Sequence, residues 1–176
     1  MCSYKRAFYN PIPKVSNVLD FDNLVVEFGK DVKKNLEGNE GEPEAQLTTP
    51  VSHFLKGFGD LHNLSVTLVR ETSITVAGGG NKKSGTVRPD FGVKVNGLLV
   101  GHVELKAPSK SIDPATFTKK SHEYKQWQKL KNLPNLLYTN GREWRLYRYG
   151  ELVPVTTSGH AVSYTHLRAH ETKANL

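Results

Sequence analysis

Three residues of the 176-residue chain have the types and spacing to work on a phosphate: Asp90, Glu104 and Lys106, in RPDFGVKVNGLLVGHVELKAP at 88–108. Asn96-Gly97 between alternating apolar residues is the strongest short-range hairpin signal. It predicts two strands, with Asp90 near the start of the first and Glu104 and Lys106 near the end of the second. Paired carboxylates repel unless a divalent cation lies between them, and hard oxygen ligands suit Mg2+ held together with a phosphate. Such an ion polarises a phosphoryl oxygen and lowers the pKa of a bound water, while a nearby ammonium orients that water or offsets developing charge. The reaction implied is phosphodiester hydrolysis. A solvated strand end also carries alternating opposite charges, so the three residue types alone leave that simpler reading open.

The register follows from period-two alternation. Matching Phe91, Val93 and Val95 to Leu99, Val103 and Leu105 pairs Val93 with Leu99 and Phe91 with Gly101. Asp90 then falls opposite His102, with Glu104 diagonal to it on the same face and Lys106 one step beyond. A plain two-residue loop at Asn96-Gly97 gives the other parity and separates the acids. The sequence therefore predicts an odd loop, such as a type I turn followed by Gly97 in the left-handed region, or a bulge.

With these residues in place, the stretch resembles the active-site signature of the PD-(D/E)xK nuclease superfamily, Pro89-Asp90 being the first element and Glu104-Leu105-Lys106 the second. GEPEAQL, RPDFG, GHVELKAP, QW and NLLYTNGREWRLYR, in that order, resemble more narrowly the N-terminal nuclease-like domain of type IIG fused restriction and DNA-methylation enzymes. The likeness covers roughly residues 41–151. It implies a mixed β-sheet flanked by helices in the order αβββαβ, with Asp90, Glu104 and the Leu105 carbonyl as ligands of Mg2+, or of Mn2+ in its place. Lys106 would position the water, and Glu44 and Gln126 would support the site. Relatives usually carry an acidic residue and an Arg where this chain has Ala45 and Thr48. Such relatives continue into an adenine methyltransferase and a target-recognition region, so S-adenosylmethionine would belong to a downstream domain in cis.

Composition limits the alternatives. The net charge is +7, from 24 basic and 17 acidic residues, which favours a polyanionic partner. A mean hydropathy of −0.49 and the lack of a long apolar run argue against a membrane span. Cys2 is the only cysteine, which excludes an intramolecular disulfide and a cysteine zinc site and fits a reducing bacterial or archaeal cytoplasm. VSYTHLRAHET, 162–172, matches one translated frame of a transposon-end sequencing adapter, and the expectation is a scar after a truncated tail at 156–176. His166 and His170 have the spacing of a helical metal site only by coincidence on that account.

Around the hairpin, residues 1–16 read as an extended arm, and Asp20 or Asp22 as the cap of a helix running to Leu36 and stopped by Gly38. Together they make an N-terminal unit, 1–40, before a core at 41–155. A second helix begins near Glu44 and ends at Gly57 and Gly59; by residue physics Glu44 also serves as a first-turn carboxylate complementing the helix dipole. Residues 64–77 read as one strand, with Glu71 on it, followed by a Gly-rich basic loop at 78–85 that lacks Walker A spacing. Asp113-Pro114 reads as the start of a helix to Lys131, and 135–139 and 143–149 as strands around Asn140-Gly141. Trp144 is expected in the core.

Lys110, Lys119, Lys120, Lys125 and Arg142, with Arg145 and Arg148 nearby, are the expected surface for double-stranded DNA. The function expected is that of a Mg2+-dependent DNA endonuclease domain at the front of a restriction-modification enzyme. The reading from a different class is a catalytically inactive DNA-binding or scaffolding module of the same fold. RNA cleavage shares the chemistry at phosphorus.

Overall fold

The computed structural model describes residues 16–38, 41–70, 73–76, 85–154, 156–157 and 160–161. The expected arm, Glu71, the Gly-rich loop and the adapter-like stretch lie outside these residues, except for Ser16 and Gly85. Helix α1 spans Ser16–Glu37, beginning several residues before the start that an Asp20 or Asp22 cap predicted, and it ends where Gly38 follows. Next come a single turn, α2 (Pro43–Gln46), and α3 (Thr48–Leu61). Gly57 and Gly59 do not end α3. A Cβ on Gly57 would come within 2.6 Å of Leu24 Cδ1, and one on Gly59 within 2.4 Å of Val66 Cγ2. These glycines let α1 and the first strand approach α3 closely, and the helix stops only at His62 and Asn63, the latter with φ 56°.

The expected single strand at 64–77 is two. Strand β1 (Val66–Arg70) joins the main sheet, whereas β2 (Ile74–Val76) pairs with β3 (Gly85–Val87) in a separate two-stranded sheet. Then follow β4 (Phe91–Val95), β5 (Leu98–Leu105), a 3-10 turn at Pro114–Thr116, α4 (His122–Leu130), β6 (Leu136–Thr139), β7 (Trp144–Arg148) and β8 (Glu151–Leu152). A last pair, β9 (Thr156–Thr157) and β10 (His160–Ala161), stands apart from the main sheet. The main sheet runs β1-β4-β5-β6-β7-β8, antiparallel except for β5 and β6, which are parallel and joined through α4. This mixed sheet flanked by helices is the restriction-endonuclease-like αβββαβ core expected from the sequence.

Period-two alternation sends β6 side chains to two different cores, Leu137 to one and Leu136 and Tyr138 to the other. Val103 and Leu105 join Leu47, Val51 and Phe91 beneath α1 and α3, where Trp144 packs against Phe28 and Phe54. On the opposite face Trp127 and Leu130 of α4 cover Leu136, Tyr138 and Tyr147. The helix predicted from Pro114 to Lys131 is divided: Asp113 caps only the 3-10 turn, and Ser121 caps α4 by accepting from Tyr124 N at 3.1 Å.

The β4–β5 hairpin corrects the predicted register. Asn96 (φ 50°) and Gly97 (φ 85°) form a plain two-residue loop with both residues left-handed, and Val95 pairs with Leu98. Parity is restored further along: Lys94 pairs with Leu99 and Val93 with Gly101, leaving Val100 as the extra residue of a bulge. Phe91 consequently faces Val103 and Gly92 faces His102, two residues from the predicted pairing. Asp90, one step before Phe91, comes level with Glu104 instead of His102.

Candidate active site

Asp90 leads into β4, and its Oδ2 accepts a 2.7 Å hydrogen bond from Leu105 N. The carboxylate is thereby held against the end of β5. Glu104, 1% exposed, points from β5 to the α4 face. Its Oε1 accepts from Lys106 Nζ at 2.7 Å and from Gln126 Nε2, while its buried Oε2 has no hydrogen-bond partner among the described residues. The Lys106 ammonium also donates to the Leu105 carbonyl at 2.8 Å, lies 4.0 Å from Glu44 Oε1, and sits 5.9 Å from the centroid of the Tyr138 ring.

Glu44 reaches the site from the other side. Pro43 at the first helical position starts α2, and the turn carries the half-buried Glu44 carboxylate to the sheet end. One oxygen each from Glu44, Asp90 and Glu104 lies within 4.8 Å of the others. Two clefts flank Glu44. One, of about 230 Å³, is lined by Lys106, Lys110, His122, Glu123 and Gln126; the other, of about 370 Å³, by Ala45, Thr48, Asp90 and Leu105.

The electrostatics follow from this crowding. Burial pushes the Glu104 carboxyl up to about 7 against the pull of Lys106, and the neighbouring Asp90 adds to the rise. Burial also raises Asp90, opposed by the Leu105 N–H and Lys106, and raises Glu44, opposed chiefly by Lys106. Three carboxyls that resist ionisation together need a positive charge among them. Glu44, Asp90 and Glu104 gather carboxylate oxygens, the Leu105 carbonyl lies beside them through Lys106, and Glu104 Oε2 has no partner among the described residues. Hard divalent ions such as Mg2+ or Mn2+ fit these oxygens.

The supporting residues separate into groups. Gln126 is brought to the site but donates to Glu104, which assigns it to orienting that carboxylate rather than to Lys106. Lys119 and Lys120 are exposed in the connection before α4, Lys125 is exposed on α4, and Arg142 is exposed in the β6–β7 turn. Lys119 and Lys120, expected within the helix, instead precede its cap at Ser121. Lys110 faces Glu123 at 3.1 Å. Arg145 is tied to Asp113 at 3.0 Å, and Arg148 donates to Asn135 at 3.3 Å.

A family model described as the type I restriction enzyme R protein N terminus matches residues 26–152, which include every residue of this site. The chain belongs to that family. No curated protein matches it significantly. Among solved structures, a chain in a cryoEM structure of a DrdV–DNA complex superimposes with a TM-score of 0.57 at 19% identity, covering 82% of this chain. The present chain spans 12% of that longer one, and the likeness supports the restriction-endonuclease-like fold.

Three residues near the site had no clear signal in the sequence. Tyr138, fully buried, walls the site beneath Lys106. Glu42 lines both clefts. The buried Asn140 side chain donates to Lys110 O at 2.8 Å and accepts from Arg142 N and Glu143 N, fastening the loop after β5 to the β6–β7 turn. Alternation in the β6 run was the only signal for Tyr138, and Asn140 was legible only as a turn residue.

Proposed function

We propose that this domain is a Mg2+-dependent DNA endonuclease module of a restriction enzyme. The observation that carries the reading is the meeting of Asp90, Glu104 and Glu44 oxygens within 4.8 Å, with the Lys106 ammonium 2.7 Å from Glu104. Asp90, Glu104 and the Leu105 carbonyl are the ligands, Glu44 is a further acidic contact, and Mn2+ can replace Mg2+. When bound, the ion supplies charge neutralisation at the phosphoryl oxygens and an acidified water.

The protein's own groups do the rest. Gln126 fixes the rotamer of Glu104 through its hydrogen bond. Lys106, released from Glu104, orients the attacking water and offsets negative charge on the phosphate. Lys110, Lys119, Lys120, Lys125 and Arg142 hold the DNA backbone, whose affinity accordingly falls with salt. The motif resemblance supports reading the domain as the front of a type IIG-like enzyme, with a methyltransferase using S-adenosylmethionine and a target-recognition region downstream in cis.

Supercoiled plasmid incubated with the protein and Mg2+ tests this. Nicked or linear product that disappears with Lys106→Ala is expected. Salt-sensitive binding without cleavage by the wild type would instead identify an inactive DNA-binding module.

A further inference from the structure

Lys106 contacts the same oxygens that suit a divalent cation. Its ammonium is 2.7 Å from Glu104 Oε1, 2.8 Å from the Leu105 carbonyl and 4.0 Å from Glu44 Oε1. At 5% exposure it is buried as an internal cation rather than extended toward a substrate. A buried carboxylate needs a positive partner, and an ammonium and a divalent ion drawn to the same few oxygens repel each other at close range.

The two clefts give each cation its own route. Lys106 lines the cleft with Lys110, His122, Glu123 and Gln126, where Glu123 already pairs with Lys110, whereas Asp90 and Leu105 line the other; Glu42 and Glu44 border both. Among the residues of that second cleft, Ala45 and Thr48 carry no charge that would hinder an incoming ion. Tyr138, whose ring centroid is 5.9 Å from the ammonium, adds a cation–π contact that holds Lys106 in its present place.

We propose that Lys106 is a built-in competitor of the metal: its ammonium neutralises the carboxylate cage in the metal-free protein and withdraws into the adjoining cleft as the divalent ion enters. This rests on the reading of the site as a divalent-cation site. It makes metal loading and the release of Lys106 toward substrate one coupled event, so the water-positioning group becomes available only in the loaded protein.

Mn2+ binding to the 176-residue chain, measured by calorimetry at pH 8, tests the inference with Lys106→Met and Glu104→Gln. Methionine keeps the unbranched stem of the side chain, one atom shorter, and removes its charge. Loss of two charge-assisted hydrogen bonds on displacement predicts that Lys106→Met binds Mn2+ about tenfold more tightly than wild type, while Glu104→Gln binds more weakly. Equal or weaker binding by Lys106→Met, with Glu104→Gln still impaired, would overturn the competitor role and leave the cation site standing. No binding by either wild type or Lys106→Met would overturn both. Should Lys106→Met not fold, the ammonium 15N resonance of Lys106 in the wild type decides. It is expected to shift as Mg2+ is added, and a stationary ammonium signal beside a moving Glu104 carboxyl signal contradicts the proposal.

Discussion

Lys106 Nζ lies 2.7 Å from Glu104 Oε1 although the two side chains are only 6% and 2% exposed. Burial nevertheless wins at Glu104, whose carboxyl is pushed up to about 7 from an ordinary 4.5. Below pH 4.5 the group is protonated folded or unfolded, and well above 7 it is ionised in both states. Between those limits the folded protein holds the extra proton, so metal-free stability falls as pH rises, by up to about 3 kcal/mol. Urea denaturation from pH 4.5 to 8 should show this slope, and Glu104→Gln should flatten it. The increase in Tm caused by Mg2+ should be larger at pH 8 than at pH 5.5.

Gln126 acts through Glu104. Its substitution by Ala leaves Oε1 with Lys106 alone and frees the carboxylate to rotate. Outer-shell losses of this kind reduce metal affinity or activity by about 10–100-fold. Mn2+ titration and plasmid cleavage should show both effects together, with DNA affinity in EDTA unchanged.

The basic residues should divide by how they are engaged. Alanine at Lys119, Lys120, Lys125 or Arg142 should each lower the slope of log affinity against log salt by about 1 without altering Tm. Arg145→Ala breaks a half-buried contact with Asp113 and should lower stability instead. Anisotropy titrations over a salt series, run beside thermal melts, separate the two classes.

Close packing of α3 against β1 depends on Gly59. A Cβ there would meet Val66 Cγ2 at 2.4 Å and the Leu64 carbonyl at 2.9 Å, the second being backbone that cannot rotate aside. Gly59→Ala should therefore destabilise the protein by about 1–3 kcal/mol in chemical denaturation.

The β4–β5 hairpin was legible because its turn dipeptide, alternation and charged residues all lay within 88–108. Its register was not, since a bulge at Val100 restores the same parity as an odd loop and sequence period alone cannot separate them. The β-branched run after Ser65 announced extended structure but not a change of partner: Arg70 pairs with Phe91, while Ile74 pairs with Val87 in another sheet. Two capping signals lay before α4, and the earlier, Asp113-Pro114, was the weaker start. Glu44 entered through the motif resemblance. Its approach to Asp90 and Glu104 depends on how α2 meets the sheet end, a long-range relation that local patterning does not encode.

The central claim is that Asp90 and its neighbouring acids form a cation-dependent site that hydrolyses DNA. The direct measurement is cleavage of plasmid DNA by the wild type and by Asp90→Asn, with Mg2+ and with excess chelator, alongside DNA binding by both proteins. The account predicts product only for the wild type in Mg2+, with binding retained by the variant. Undiminished cleavage by Asp90→Asn, or by the wild type in chelator, would contradict it.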